Sequence, residues 1–171
     1  MSSDVILVIV VGTALAFDFT NGFHDTANVV ATSISTGAAR PRVAIALAAL
    51  LNFAGAFISI SVAATVAQDV VDASVITPTI VFAGLIGAIA WNLVTWFLGL
   101  PSSSSHALIG GVVGSAVAAD GFQVVIAEGL LGKVLIPAII APLLAFAAAG
   151  ISIGIAYRII GRQRPGIVSR G

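Results

Sequence analysis

From Ala73 to Ala119, 47 consecutive residues pass without an aspartate, glutamate, lysine or arginine. A soluble domain carries roughly 25 % charged residues, whereas this chain carries 8 % over its 171 residues. Two shorter uncharged runs accompany the long one: Val43–Gln68 with 26 residues and Val134–Tyr157 with 24. A membrane-spanning helix needs about 20 apolar residues. The run lengths, with a mean hydropathy of +1.16, therefore imply an all-α integral membrane protein. Seven cations balance seven acids, so there is no basic footprint for nucleic acid. Cysteine is absent, which excludes disulfides, iron–sulfur clusters and thiolate metal sites.

The runs divide into about five transmembrane segments. The first and last of the three runs each supply one helix. The 47-residue run supplies two, divided at Pro101-Ser102-Ser103-Ser104-Ser105, so one helix lies near Ala73–Leu100. The piece after the break, Ala107–Ala119, is short and rich in glycine. It reads as a short fourth segment, or as one limb of a re-entrant hairpin whose other limb is Phe122–Leu131. At the N-terminus, Val5–Phe17 and Thr26–Ala39 are each too short to span. Together they predict one helix broken at Asn21-Gly22. Asp4 stands where a signal peptide would carry positive charge.

Charge orients the segments. The positive-inside rule puts Arg40, Arg42 and the tail with Arg158, Arg162, Arg164 and Arg170 in the cytoplasm, with residues 162–171 as a cytoplasmic tail. The N-terminus, Asp69, Asp72, Asp120, Glu128 and Lys133 then lie outside. An odd number of spans means that a tandem copy would enter the membrane inverted, the common plan of secondary transporters. No repeat is evident within the chain, which reads as one repeat unit, residues 1–171.

Ionisable groups within the membrane are costly, about 2.5–3.5 kcal/mol each on insertion scales, and mark ion or proton paths. Asp18, Asn21, His24, Asp25 and Asn28 cluster at the expected break. Their carboxylate and amide oxygens suit a hard cation. The bland alternatives are an interfacial loop, and Asp25 as an N-terminal capping carboxylate. Ser102, Ser103, Ser104 and Ser105 place four hydroxyls before a helix start, where free N–H groups and the dipole favour an anion. The bland reading there is a serine N-cap. His106 reads as a packed histidine, or as a proton or hydrogen-bond donor beside the anion, and His24 as a proton or hydrogen-bond donor. Asn52 and Asn92 suggest interhelical hydrogen bonds; Trp91 and Trp96 suggest packing or interfacial anchors.

Two stretches carry a resemblance. Asn21-Gly22-Phe23-His24-Asp25-Thr26-Ala27-Asn28-Val29-Val30-Ala31-Thr32 resembles the first signature of the inorganic phosphate transporter family. Gly99-Leu100-Pro101-Ser102-Ser103-Ser104-Ser105-His106-Ala107-Leu108-Ile109-Gly110-Gly111 resembles the family's Pro-x-Ser-(Ser/Thr)-(Ser/Thr)-His motif. The resemblance implies one half of an inverted-repeat transporter carrying inorganic phosphate with a coupling cation, proton or sodium. It implies Ser103, Ser104, Ser105 and Asn28 as substrate-binding. Asp25, Asn21 and Asp18 are implied as cation-coupling. No metal site and no other cofactor are implied. Asn52 stands where some sodium-coupled relatives have an acid, which leans toward protons or metal-phosphate. The implied partners are phosphate, the lipid bilayer, and a second half or a homo-oligomer. The expected location is the cytoplasmic membrane of a bacterium or archaeon. A non-transporting subunit that only assembles with a partner is the alternative. An intramembrane hydrolase fits poorly, because Ser105 and His106 are adjacent and project apart on a helix.

Overall fold

The computed structural model describes residues 3–58 and 69–160. The end of the second expected segment and the expected cytoplasmic tail at 162–171 lie outside the described residues. The described residues are helical: α1 (Ser3–Ser35), α2 (Pro41–Ile58), α3 (Pro78–Phe97), α4 (Ser104–Asp120), the short α5 (Ala127–Leu130) and α6 (Ile136–Ile160). A single π turn, Leu131–Leu135, leads into α6. Among the described residues, three stretches are long and apolar enough to cross a membrane: Asp4–Ser35, Pro78–Phe97 and Ala127–Ile159. Pro41–Phe57 is a shorter apolar helix. The chain falls into two compact units, Met1–Leu130 and Leu131–Gly171.

Local sequence sets the ends of α3 and α4. Thr77 caps α3, its hydroxyl accepting from the Ile80 amide at 3.3 Å, and Pro78 follows at the first turn, where a missing N–H costs nothing. The other end closes in a Schellman turn: Leu100 N–H donates to Thr95 O at 2.8 Å and Gly99 N–H to Trp96 O at 3.1 Å. Gly99 supplies the positive φ of 66° this turn requires,. Pro101 cannot continue a helix, so the serines begin a new one. Ser103 caps α4, its hydroxyl accepting from the His106 amide.

The first helix corrects the sequence expectation. α1 runs unbroken for 33 residues through Asn21-Gly22. One glycine inside a helix costs only about 1 kcal/mol relative to alanine, and the polar groups around it find partners on α3 and α4. A break is not needed to satisfy them. Asp25 is consequently a mid-helix residue and not a cap. The fourth segment is one helix of 17 residues, about 25 Å at 1.5 Å per residue, short as expected. Phe122–Leu131 is not a returning limb: it is a 3-10 turn at Phe122–Val124 followed by the start of the last helical stretch.

Within the first unit, α1 packs on α2, α3 and α4, and the closest pairing is α3 with α4. Backbones nearly touch there. A Cβ built on Gly84 would sit 2.9 Å from Val112 N, and one on Gly111 would overlap the Gly84 carbonyl. Ser115 Oγ donates across the pair to Ile80 O at 2.9 Å. The apolar core is small: Phe17, Leu85 and Ala88, flanked by Val10, Ala14, Val81, Ile89, Ala107 and Leu108. Beyond the helix ends, residues 70–72 pair with 124–126 through an antiparallel bridge at Val71 and Val125. Asp72 caps a 3-10 turn there, and the Ser74 amide donating to its carboxylate holds its pKa below the usual value.

Large apolar side chains also face outward, and some polar ones are buried. Leu7, Val8, Phe53 and Phe57 in the first unit, and Phe146 and Tyr157 in the second, are all exposed. The buried polar side chains among the described residues are Thr20, His24, Asn92, Thr95 and Ser104. A lipid environment favours this arrangement, because hydrocarbon solvates leucine and cannot solvate histidine.

Candidate functional site

The unbroken α1 turns a cluster into a stripe. Phe17, Thr20, Asn21, His24 and Asp25 recur at helical spacing and lie toward α3 and α4. His24, 3 % exposed, is held at both ring nitrogens. Nδ1 lies 3.1 Å from Asp25 Oδ1, and Nε2 lies 3.2 Å from Thr95 Oγ1. A neutral imidazole carries one N–H, so with Nδ1–H donating to the Asp25 carboxylate, Nε2 is left to accept from the Thr95 hydroxyl,.

Ser104, 2 % exposed, meets α1 from the first turn of α4. Its Oγ lies 2.5 Å from Asn21 Oδ1 and 2.7 Å from Asp25 Oδ2. One hydroxyl has one proton and can donate to only one of these oxygens. Turning the Asn21 amide end for end lets its NH2 donate to Ser104 and leaves the serine proton for Asp25. Asn21, His24, Asp25, Thr95 and Ser104 thus form one hydrogen-bonded cluster joining α1, α3 and α4. Asn92, three residues before Thr95, is fully buried, and neither its Oδ1 nor its Nδ2 has a hydrogen-bond partner. The interhelical bond expected of it is not made.

The next residues of α4 serve a second site. Trp91, Ser102, Ser103 and His106, with Gly87, Ala107, Gly110 and Gly111, line a cavity of about 520 Å³ between α3 and α4. The glycines leave the space that side chains would fill. Trp91 Nε1 donates to Ser102 Oγ at 2.9 Å. His106 Nδ1 lies 2.8 Å from Ser103 Oγ. The lining carries no acid and no lysine or arginine. It offers hydroxyls, an imidazole and the N-terminal end of a helix, a set that can attract an anion without fixed charge.

The expected residues therefore separate. Ser104, Asn21, His24 and Asp25 come together, while Ser103 and His106 line the cavity. Asp18, Asn28 and Ser105 are exposed and in neither group. Asn52 is exposed as well. Trp96 packs on Phe23, rings 5.4 Å apart, as expected of a packing residue; Trp91 is 55 % exposed and bonds Ser102. Ser102, one of the four hydroxyls before the helix, lines the cavity; Thr95 was missed. The polar spacing Asn92-x-x-Thr95 inside an apolar helix was the available signal for Thr95.

A helical chain with its apolar side chains outward, a polar cluster among its helices and an uncharged donor-lined cavity has the features of a polytopic membrane transporter. The phosphate transporter family model matches residues 21–169, and the chain belongs to that family. A Mycobacterium tuberculosis H37Rv protein named "Probable low-affinity inorganic phosphate transporter" is 58 % identical over 153 residues, covering 90 % of this chain and 37 % of that protein. A Bacillus subtilis protein of the same name is 49 % identical, covering 83 % of this chain and 43 % of its own length. Escherichia coli "Low-affinity inorganic phosphate transporter PitA" is 39 % identical, covering 67 % of this chain and 24 % of its own length. The chain thus spans well under half the length of these relatives. No solved structure matches it. The family and these names describe transporters, not enzymes.

Proposed function

We propose that this chain is one part of a membrane transporter that moves inorganic phosphate by symport with a cation, proton or sodium. The observation that carries the reading is the shared first turn of α4. Ser103 and His106 line the anion-suited cavity, while Ser104, between them, touches Asp25 in the polar cluster. Occupancy of one site can therefore be felt at the other through a single helical turn. In this reading the cavity takes phosphate, and Asp25 with Asn21 couples its movement to the cation. His24 and His106 are hydrogen-bond or proton donors. Asp18, Asn28 and Ser105 are exposed on this chain, so they serve only if another part of the transporter covers them. The Arg40–Arg42 side faces the cytoplasm and the N-terminus faces out.

The relatives' greater length favours a second half as the missing part. The test is labelled phosphate uptake into vesicles holding the chain together with a second half, at varied pH and sodium. Uptake should follow one of the two gradients and be abolished by Asp25→Asn. Unchanged uptake in that variant would remove Asp25 from the site. Stable assembly with no phosphate binding would favour a subunit that does not transport.

A further inference from the structure

Two serines line the α3–α4 cavity, and their hydroxyl protons are not equally committed. Ser103 Oγ lies 2.8 Å from His106 Nδ1, a nitrogen that donates or accepts according to tautomer. Its proton can therefore be drawn back to the imidazole. Ser102 Oγ has the Trp91 indole at 2.9 Å, and an indole nitrogen can only donate. The bond occupies a lone pair of Ser102 and forbids its proton from pointing back at Trp91. That proton must seek an acceptor elsewhere, and the open space both residues border is the cavity. The tryptophan itself is 55 % exposed and is not among the residues of the α1–α3–α4 core.

We propose that Trp91 is a positioning residue for the anion, holding Ser102 as a hydrogen-bond donor toward the cavity. This rests on the reading that the cavity takes phosphate. A hydroxyl free to rotate presents a lone pair to an anion as readily as a proton; one fixed by an obligate donor presents the proton. The indole thereby sets the polarity of a neutral group without adding charge.

The chain has two tryptophans, Trp91 and Trp96. In a Trp96→Phe background the fluorescence of the 171-residue chain in lipid nanodiscs comes from Trp91 alone, and inorganic phosphate is the probe. Phosphate should change that emission, and Ser102→Ala should abolish the change. By equilibrium binding of labelled phosphate, Trp91→Phe, which keeps a ring and removes the N–H, should weaken binding about twofold to tenfold, the span of one net hydrogen bond. Ser102→Ala should weaken it similarly, and the double variant should lose no more than the worse single one. A purely structural tryptophan would instead give losses that add. Additive losses, or wild-type binding in Trp91→Phe, overturn the proposal while leaving the cavity's assignment standing. Failure of the unaltered chain to bind phosphate, even with a second half present, overturns both. Should Trp91→Phe not fold, the emission change and its loss in Ser102→Ala decide the matter alone.

Discussion

Asp25 is held at both carboxylate oxygens, Oδ1 by His24 Nδ1 at 3.1 Å and Oδ2 by Ser104 at 2.7 Å. Asp25→Asn keeps the shape but removes the charge and replaces one acceptor by an NH2 donor. The expected result is loss of phosphate uptake with helicity unchanged by circular dichroism. Ser104→Ala removes one bond from Asp25 and one from Asn21, yet leaves His24 on the carboxylate, so uptake should fall without vanishing. Equal loss in the two variants would mean that Ser104, not the charge, dominates. Asn92 poses the opposite case. A buried amide with no partner costs about 1–3 kcal/mol, and its place is fully enclosed. Asn92→Leu should therefore stabilise the chain by about 1–3 kcal/mol, read as a higher thermal midpoint in detergent. A lower midpoint would show that the amide has a partner in the folded chain. Thr95, which binds His24 one helical turn away, shows why such residues are hard to read in sequence. A threonine in an apolar helix ordinarily bonds its own backbone, as Thr95 also does, and nothing local reveals the second contact 71 residues back at His24.

At the scale of elements, the pairing of α3 and α4 depends on two glycines in register. Gly84 and Gly111 face each other so closely that a side chain on either meets backbone rather than a movable neighbour. Gly111→Val should separate the helices, enlarge the cavity they share, and cost about 1–3 kcal/mol, the usual penalty of overpacking. Gly114→Ala, with nothing within 4 Å of its Cβ, is the matched control, and comparable losses in both would deny that the crossing is close. The bridged loops offer a pH test. The Asp72 carboxylate has a lowered pKa in the folded chain, so its cap stabilises fully above the ordinary carboxylate value of 3.8 and is lost as pH falls through the lower folded-state value. Amide exchange at Ser74 should quicken there, and an unchanged rate would show the cap to be idle. The end of α3 and the start of α4 were legible because their signals are local: Gly99-Leu100-Pro101 and Ser103 stop and start a helix by their own chemistry, whereas α3 begins at Thr77-Pro78 and not at the Ala73 that the uncharged run suggested. The continuity of α1 was not legible. Asn21-Gly22 has the look of a break, and the bonds that let the helix continue come from Thr95 and Ser104, far along the chain. The two polar motifs were found in sequence, but their division between a cluster and a cavity depends on the helical turn that points Ser104 one way and Ser103 another.

At the scale of the molecule, the question is what this chain does without the remainder of its longer relatives. It matches 37 % of the length of the mycobacterial protein, and its polar cluster is only partly enclosed: the Asp25 side chain is 44 % exposed while His24 beside it is 3 % exposed. A carboxylate that open cannot face lipid cheaply, so something polar must cover it in the working transporter. Two coverings are possible, water or protein, and they predict different behaviour. If protein covers it, a polar or charged reagent will reach a cysteine placed at Asn28, on the same face of α1 and exposed here, in the chain alone. Adding a second half should then protect that cysteine and produce phosphate uptake in the same vesicles. If water covers it, labelling at position 28 will be indifferent to the second half. Protection and uptake should appear together, because the surface that shields Asp25 is the one that would complete the path for phosphate. Uptake without protection would place the second half's contribution elsewhere, and protection without uptake would describe an assembly partner rather than the other half of a transporter.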